Sequence, residues 1–317
     1  MRQMKTTAIN AVFLFVCLAT ALGVHAAEPA ATVADRILNF VVIPDAHTYT
    51  GHPGFLPGIV ERINALQIQP DFVISLGDNI AGGEHHEVLK DALTYQDFVS
   101  RLRSPHYYVT GNHECIPVEV YKHLTWDQLL AAWRMKSRWY SFDMKEFHIC
   151  VIDGWASLNT PPFTPAFQQE QEWFLQDLRS TDRKNLVFVH DAISFQQEDC
   201  PEWVRANNRK FWPPGNFFEK TIEANASKIA GVFEGHKHKS LHKMRNGVMY
   251  HQMGASFLHN GQFAQVFIDS QTDAWFVLGH PDRSEQDERC EIQQTYGDRR
   301  VMQRALDARA RPPAQAR

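Results

Sequence analysis

An α/β (α+β-like) fold is predicted by three features of this 317-residue chain. Short apolar runs end in polar clusters at regular intervals, amphipathic segments separate the first three runs, and the second half carries strand-pair signals. Ile37 to Ile43 and Phe72 to Leu76 are nearly continuous apolar runs, as expected of strands buried on both faces, and Tyr107 to Thr110 is a third. They end at Asp45-Ala46-His47, Gly77-Asp78-Asn79 and Gly111-Asn112-His113-Glu114. Asp78 follows Asp45 by 33 residues and Asn112 follows Asp78 by 34, and each interval fits one β–α–β crossover of about 30 residues. Three polar clusters therefore recur at the C-terminal ends of successive strands, where open α/β sheets gather their chemistry.

The remaining elements follow in order. Residues 27–36 read as a linker. A Gly/Pro/His/Thr loop over 48–57 leads into a segment with Ile59, Ile63 and Leu66 at helical spacing, and Val88 to Leu102 is the next predicted helix, with Leu89, Leu93 and Val99 inward. Thr125 is placed to cap a helix running to Arg134. Trp139 to Phe142 and Phe147 to Ile152 read as an antiparallel pair, Pro165 to Leu178 as a helix, and Leu186 to Val189 as a buried strand delivering His190-Asp191. Ser194 to Phe218 mixes charge with Trp203, Phe211 and Trp212, and reads either as a lid or as a surface insertion. Ile229 to Phe233 is a strand ending at Gly235-His236-Lys237-His238. Asn246-Gly247 then turns a hairpin, and Phe263 to Ile268 and Ala274 to Leu278 form a last strand pair. The predicted main domain spans 27–283. Residues 284–317 read as a charged tail, a frayed helix followed by disorder, with six arginines between 299 and 317.

The N-terminus reads as a signal peptide over residues 1–26. Arg2 and Lys5 give a positive start, Ala11 to Gly23 is apolar, and Val24-His25-Ala26 is a small-residue cleavage pattern. The apolar run is shorter than the ~20 residues of a membrane span, so the expected location is secreted or periplasmic. Cleavage after Ala26 takes two of the 32 basic residues and none of the 36 acidic ones, a balance of −6. That mildly acidic surface argues against bulk nucleic-acid binding. Four cysteines remain: Cys150 lies in an apolar strand as a buried free thiol, Cys115 is expected to be structural, and Cys200 and Cys290 are the better candidates for a bridge. No internal repeat is present, and Asn225-Ala226-Ser227 is a glycosylation sequon by pattern only.

The five clusters include the carboxylates of Asp45 and Asp78, the amide of Asn112 and several imidazoles, enough for a two-metal hydrolytic site. Asp45 and His47, like His236 and His238, are two residues apart, and such residues project to one side of an extended chain. A carboxylate has two oxygens to share between ions, and an amide such as that of Asn112 offers a neutral oxygen that leaves the metals electrophilic. Mixed nitrogen and oxygen ligation suits Zn, Fe or Mn, as divalent or mixed-valence ions.

Taken in order, Asp-x-His, Gly-Asp, Gly-Asn-His-Glu, His and Gly-His-x-His resemble the calcineurin-like metallophosphoesterase superfamily, with the match running from Asp45 to His238. The resemblance implies a two-sheet β-sandwich flanked by helices, with a dinuclear metal site at the strand C-terminal ends. It implies that Asp45, His47 and His238 hold one metal, that Asn112, His190 and His236 hold the other, and that Asp78 bridges them with a hydroxide between. It also implies that His113 contacts the phosphate and protonates the leaving oxygen. Two subclass marks are missing. No Asp-Arg-Gly follows Gly77-Asp78, as it does in Ser/Thr protein phosphatases, and Ala81 stands where purple acid phosphatases carry a tyrosine.

The implied activity is hydrolysis of phosphomonoesters or phosphodiesters by attack of a metal-bound hydroxide, with a phosphate ester as substrate. The alternative is a metal-binding scaffold or partner module of the same fold with little turnover. Glu114 reads as support for the ligands, and Asp191 either as a partner of an imidazole or as a solvated carboxylate. His85, His86, His251 and His259 are the remaining histidines near predicted motifs.

Overall fold

The computed structural model describes residues 32–82, 87–154, 165–193, 216–238, 240–257, 261–280 and 295–310. The predicted signal peptide, His85, His86, His259, Cys200, Cys290 and residues 194–215 lie outside the described residues. The first half runs α1 (Val33–Arg36), β1 (Ile37–Ile43), α2 (Leu56–Asn64), β2 (Phe72–Leu76), α3 (Val88–Val99), β3 (His106–Val109), α4 (Asn112–Glu119), α5 (Trp126–Ala132), β4 (Tyr140–Met144) and β5 (Phe147–Val151). The second half runs α6 (Pro165–Ser180), β6 (Lys184–Val189), α7 (Phe217–Ala224), β7 (Ile229–Glu234), β8 (Leu241–Arg245), β9 (Val248–Gln252), β10 (Phe263–Asp269), β11 (Trp275–His280), β12 (Thr295–Gly297) and α8 (Arg299–Ala310).

Two mixed sheets result, ordered β12-β11-β10-β1-β2-β3 and β4-β5-β6-β7-β9-β8. Strands β1, β2 and β3 are parallel, as are β5, β6 and β7. All seven residues of β1 are buried, because its alternate faces meet different layers. Leu38, Phe40 and Val42 face the second sheet, where Ile149, Leu186, Phe188 and Phe233 meet them. Val41 and Ile43 face the α2–α3–α5 layer. Phe40 ties the sheets together, stacked on Phe72 at 5.1 Å and edge-on to Phe188 and Phe233 at 5.5 and 5.2 Å. Each such fully buried ring is worth about 1.5–3 kcal/mol over an exposed one. Helices α6 and α7 cover the outer face of the second sheet through Phe167, Phe174 and Phe218.

Local sequence accounts for several element ends. Thr125 caps α5 by accepting from the Gln128 N–H at 3.3 Å, and Gln128 Oε1 accepts from the Thr125 N–H at 2.8 Å. Asn246 and Gly247 both take left-handed backbone, φ +47° and +82°, which a two-residue hairpin turn requires.

Three readings are corrected and one helix is added. In α3, Val88, Ala92, Tyr95 and Val99 point inward and Leu93 is 52% exposed. The i, i+4, i+7, i+11 row forms the stripe, with Asp91 buried beside it to accept from the Thr50 N–H at 2.7 Å. Helix α4 follows Gly111 directly, and Pro117 inside it removes the usual sequence sign of a helix. Residues 33–36, read as part of a linker, form the single turn α1. The charged C-terminal region is not all tail. Strand β12 pairs with β11, and α8 buries Val301 and Ala305 against Ile37, Phe267 and Phe276. The arginines lie between those apolar positions and mask their helical spacing.

Candidate metal centre

The parallel strands of both sheets point their C-terminal ends to one place, and five clusters meet there. The two sheets are tied at this edge by His190 Nδ1, which donates to the Leu76 carbonyl at 2.8 Å. The His236 N–H adds a second tie, donating to Asp45 Oδ1 at 3.1 Å. Asp45, His47, Asp78, His236 and His238 all have left-handed backbone, with φ of +43°, +47°, +48°, +70° and +54°. The side chains of each His-containing pair therefore converge through tight turns, not through the alternation of an extended strand. For residues with a Cβ this conformation costs on the order of 1 kcal/mol each. Gly77, at φ +85°, and Gly111 make the crowding tolerable. A Cβ on Gly77 would meet the His190 ring at 2.5 Å, and one on Gly111 would strike the Asp78 backbone and carboxylate.

Two groups of metal-ligating atoms form. Asp45, His47, Asp78 and His238 bring their donor atoms within 4.8 Å of one another, and so do Asp78, His190 and His236. Asp78 belongs to both. Its Oδ1 accepts from the His113 N–H at 2.8 Å, leaving Oδ2 at 3.2 Å from His190 Nε2 and 3.7 Å from His47 Nε2. Asn112 joins the second group, with Oδ1 at 3.2 Å from His190 Nε2. His238 Nε2 lies 3.3 Å from Asp45 Oδ1. All seven residues expected as ligands are thus brought together.

The donor set fits metal ions. His47 Nε2 is buried without a hydrogen-bond partner among the described residues, although it faces Asp78. Burial holds His47 at a pKa of about 4, against the pull of Asp78, and burial with the neighbouring His190 holds His236 well below the ordinary value. Both rings are therefore neutral and able to ligate at pH 7. Burial acts to raise Asp78, but the charge and hydrogen bond of His190, with His113 next, outweigh it and hold the carboxyl below its ordinary value.

His113 is placed differently from the ligands. Its Nδ1 is hydrogen-bonded to the Ala81 carbonyl, and its Nε2 faces Asp78 Oδ2 at 3.9 Å. The group that orients it is a backbone carbonyl, which leaves no mark in the sequence. Glu114 is fully buried, and its two oxygens accept from the N–H groups of Asp78, Asn79, Ile80 and Gly111 at 3.0, 2.8, 3.1 and 2.7 Å. It clamps the loop that carries the shared ligand to the helix that carries Asn112 and His113. Burial and the charge of Asp78 raise its pKa to about 8, while the backbone donors pull the other way.

Asp191 is 1% exposed, so the solvated reading does not hold. Burial raises its pKa to about 7, opposed by His190 and Lys237, and neither oxygen has a hydrogen-bond partner among the described residues. His251 stands apart from the metal groups, buried on Phe233 and bonded to His242 at 3.0 Å. Cys115 and Cys150 are both buried free thiols. Phe257 escaped the sequence reading, yet its ring lies 4.3 Å from that of His47 and 5.0 Å from that of His238. A lone phenylalanine three residues beyond Gly254 carried no signal.

No curated protein sequence matches the chain. Its fold is similar to GAP50, the anchor in the inner membrane complex of Plasmodium, at 12% identity and a TM-score of 0.55, covering 86% of this chain and 94% of that one. It is also similar to purple acid phosphatase PPD1 from yellow lupin (Lupinus luteus) seeds, at 13% identity and a TM-score of 0.59, covering 89% of this chain and 57% of that one. At these identities the similarity is one of fold. The family profile of calcineurin-like phosphoesterases matches residues 38–240, more than half of the chain, and contains every cluster described above. The chain belongs to the calcineurin-like phosphoesterase family.

Proposed function

We propose that this chain is an exported dinuclear-metal phosphoesterase that hydrolyses phosphomonoesters or phosphodiesters. The observation that carries the reading is the pair of Asp/His groups sharing Asp78, with His113 beside them. Asp45, His47 and His238 would hold one ion, Asn112, His190 and His236 the other, and Asp78 would bridge them. Zn, Fe or Mn ions at these positions would neutralise the phosphoryl oxygens and activate water at neutral pH. His113 then has the acid role. Nδ1 is bonded to the Ala81 carbonyl, which leaves Nε2 on the side of the shared carboxylate to give a proton to the departing oxygen. Its side chain is 33% exposed against 1% for His190, so substrate can reach it.

Small-molecule or nucleotide esters are preferred to phosphoproteins in this reading, because the Asp-Arg-Gly of protein phosphatases does not follow Gly77-Asp78. Export rests on Arg2, Lys5, the apolar run 11–23 and Val24-His25-Ala26. Among the described residues no helix is long and apolar enough to cross a membrane. A partner-binding scaffold is the second reading, favoured by the fold similarity to an anchor protein of nearly the same length.

The test is direct. Purified protein loaded with Zn, Mn or Fe should carry close to two ions per chain and hydrolyse mono- or bis-p-nitrophenyl phosphate. Protein that holds two ions and turns over neither ester supports the scaffold. A screen of cyclic nucleotides, nucleotides, phospholipids and phosphopeptides then assigns the substrate class, and the mass of the mature protein tests cleavage after Ala26.

A further inference from the structure

The imidazoles of the two metal groups are held by different means. His190 is tethered through Nδ1 to the Leu76 carbonyl at 2.8 Å, the usual way a ligating histidine is oriented. His47 and His238 have no such tether. Among the described residues neither ring hydrogen-bonds a carbonyl, and their close polar side-chain contacts are to the carboxylates of the centre itself, Asp78 and Asp45. Untethered, an imidazole can turn about χ2 and take its ligating nitrogen off the metal.

One residue touches both of these rings. Phe257 lies with its centroid 4.3 Å from that of His47, tilted by 58°, and 5.0 Å from that of His238, edge-on at 86°. His113 lies 4.4 Å from the His47 ring, also edge-on, at 77°. Phe257 is itself held in place. Its N–H donates to the Asp45 carbonyl at 3.3 Å, the preceding Ser256 N–H donates to the Pro44 carbonyl at 2.8 Å, and Ser256 Oγ donates to the Gln262 carbonyl at 2.7 Å. The loop after β9 is thereby fastened to the turn that carries Asp45 and His47.

We propose that Phe257 is the positioning residue of the metal site formed by Asp45, His47 and His238. Its ring fixes both imidazoles in the ligating orientation, doing by packing what the Leu76 carbonyl does for His190 by hydrogen bonding. The inference rests on the metal centre of the proposed function, but it concerns metal affinity and not turnover.

Apo-protein, stripped by chelator, would be titrated with Co²⁺ and followed by its visible absorption, with bound metal per chain counted after equilibrium dialysis. The wild type should bind two ions. Phe257→Ala should bind one as before and the other about 10- to 100-fold more weakly, the usual cost of losing a group that orients a ligand. Phe257→Tyr and Phe257→Trp, which keep a ring, should restore the weak site. Phe257→Leu, closer in bulk, should fall between and serves if the alanine variant does not fold by circular dichroism. Two ions bound by Phe257→Ala with wild-type affinity, or both sites weakened equally, would overturn the inference. A wild type that binds no metal would instead overturn the centre itself, a distinct result.

Discussion

The two halves of the metal centre differ in depth and in how their ligands are held. On one side His190 and Asn112 are 1% and 9% exposed, and a carbonyl of the opposite sheet locks the His190 ring. On the other side the His47 and His238 side chains are 13% and 32% exposed and lean on Phe257. His113, 33% exposed, sits beside His47. If ions bind as proposed, the half locked by the His190 hydrogen bond would hold its ion more tightly, while the ring-packed half, with His238 more open, would admit water and substrate. On the proposed function the asymmetry would divide the work, with one ion built in and the other facing the chemistry.

The largest way to break that division is through the ligand both halves share. Asp78→Ala should remove both ions and lower hydrolysis by at least ~10³-fold, since activation of water needs the pair; metal analysis and initial rates measure it together. Next in size is His113→Ala, which should keep both ions and lose about 10²–10⁴ in kcat, with the limb of the pH profile that reports the acid gone. Loss of an ion in this variant would reassign His113 to a structural role. A gentler probe is stepwise chelation of the wild type. The ion on the His47–His238 side should leave first, at least ~10-fold faster than its neighbour, and single-phase release of both would deny the asymmetry.

Glu114→Gln tests what is common to both halves. An amide in place of the carboxyl group puts N–H against N–H in the clamp around Asp78, and should cost about 1–3 kcal/mol of stability in denaturant melts near pH 9, above the folded pKa of about 8 where the wild-type group is ionised. The smallest expected effect lies away from the centre. His148 is bonded to Asp177 at 2.9 Å and Asp143 at 2.7 Å, and its pKa is raised, chiefly by the hydrogen bond to Asp177 against the cost of burial. A raised value means that its stabilisation is present below the ordinary histidine pKa of about 6.5 and is lost as pH rises through the folded value. His148→Gln should therefore lower Tm at pH 5.5 by only about 2–4 °C and leave it unchanged near pH 9.

The strands and the residues that gather at the candidate centre were legible because each rests on a strong local pattern. β1 is an unbroken apolar run, Asn246-Gly247 permits the left-handed turn of its hairpin, and the ligand types recur after strands at crossover spacing. What stayed hidden depends on backbone atoms or on long-range packing. The carbonyls of Ala81 and Leu76 that orient His113 and His190 belong to any residue. The four backbone donors around Glu114 come from two loops more than thirty residues apart. Phe257 matters only because its loop is hydrogen-bonded to the Asp45 turn. The convergence of Asp45 with His47 was foreseen for the wrong reason, since alternation along an extended chain would not have produced the left-handed turns that bring it about.

Those left-handed turns have a consequence for how metal binding and folding are linked. Five of the seven candidate ligands occupy backbone conformations that a free peptide of the same sequence populates only sparsely. The motifs cut from the protein would be poor chelators, because the sandwich acts as a mould that presses them into shape. Metal affinity then belongs to the folded sheets rather than to the short sequences, and heat or urea should release the tightly held ion within the unfolding transition itself, not ahead of it.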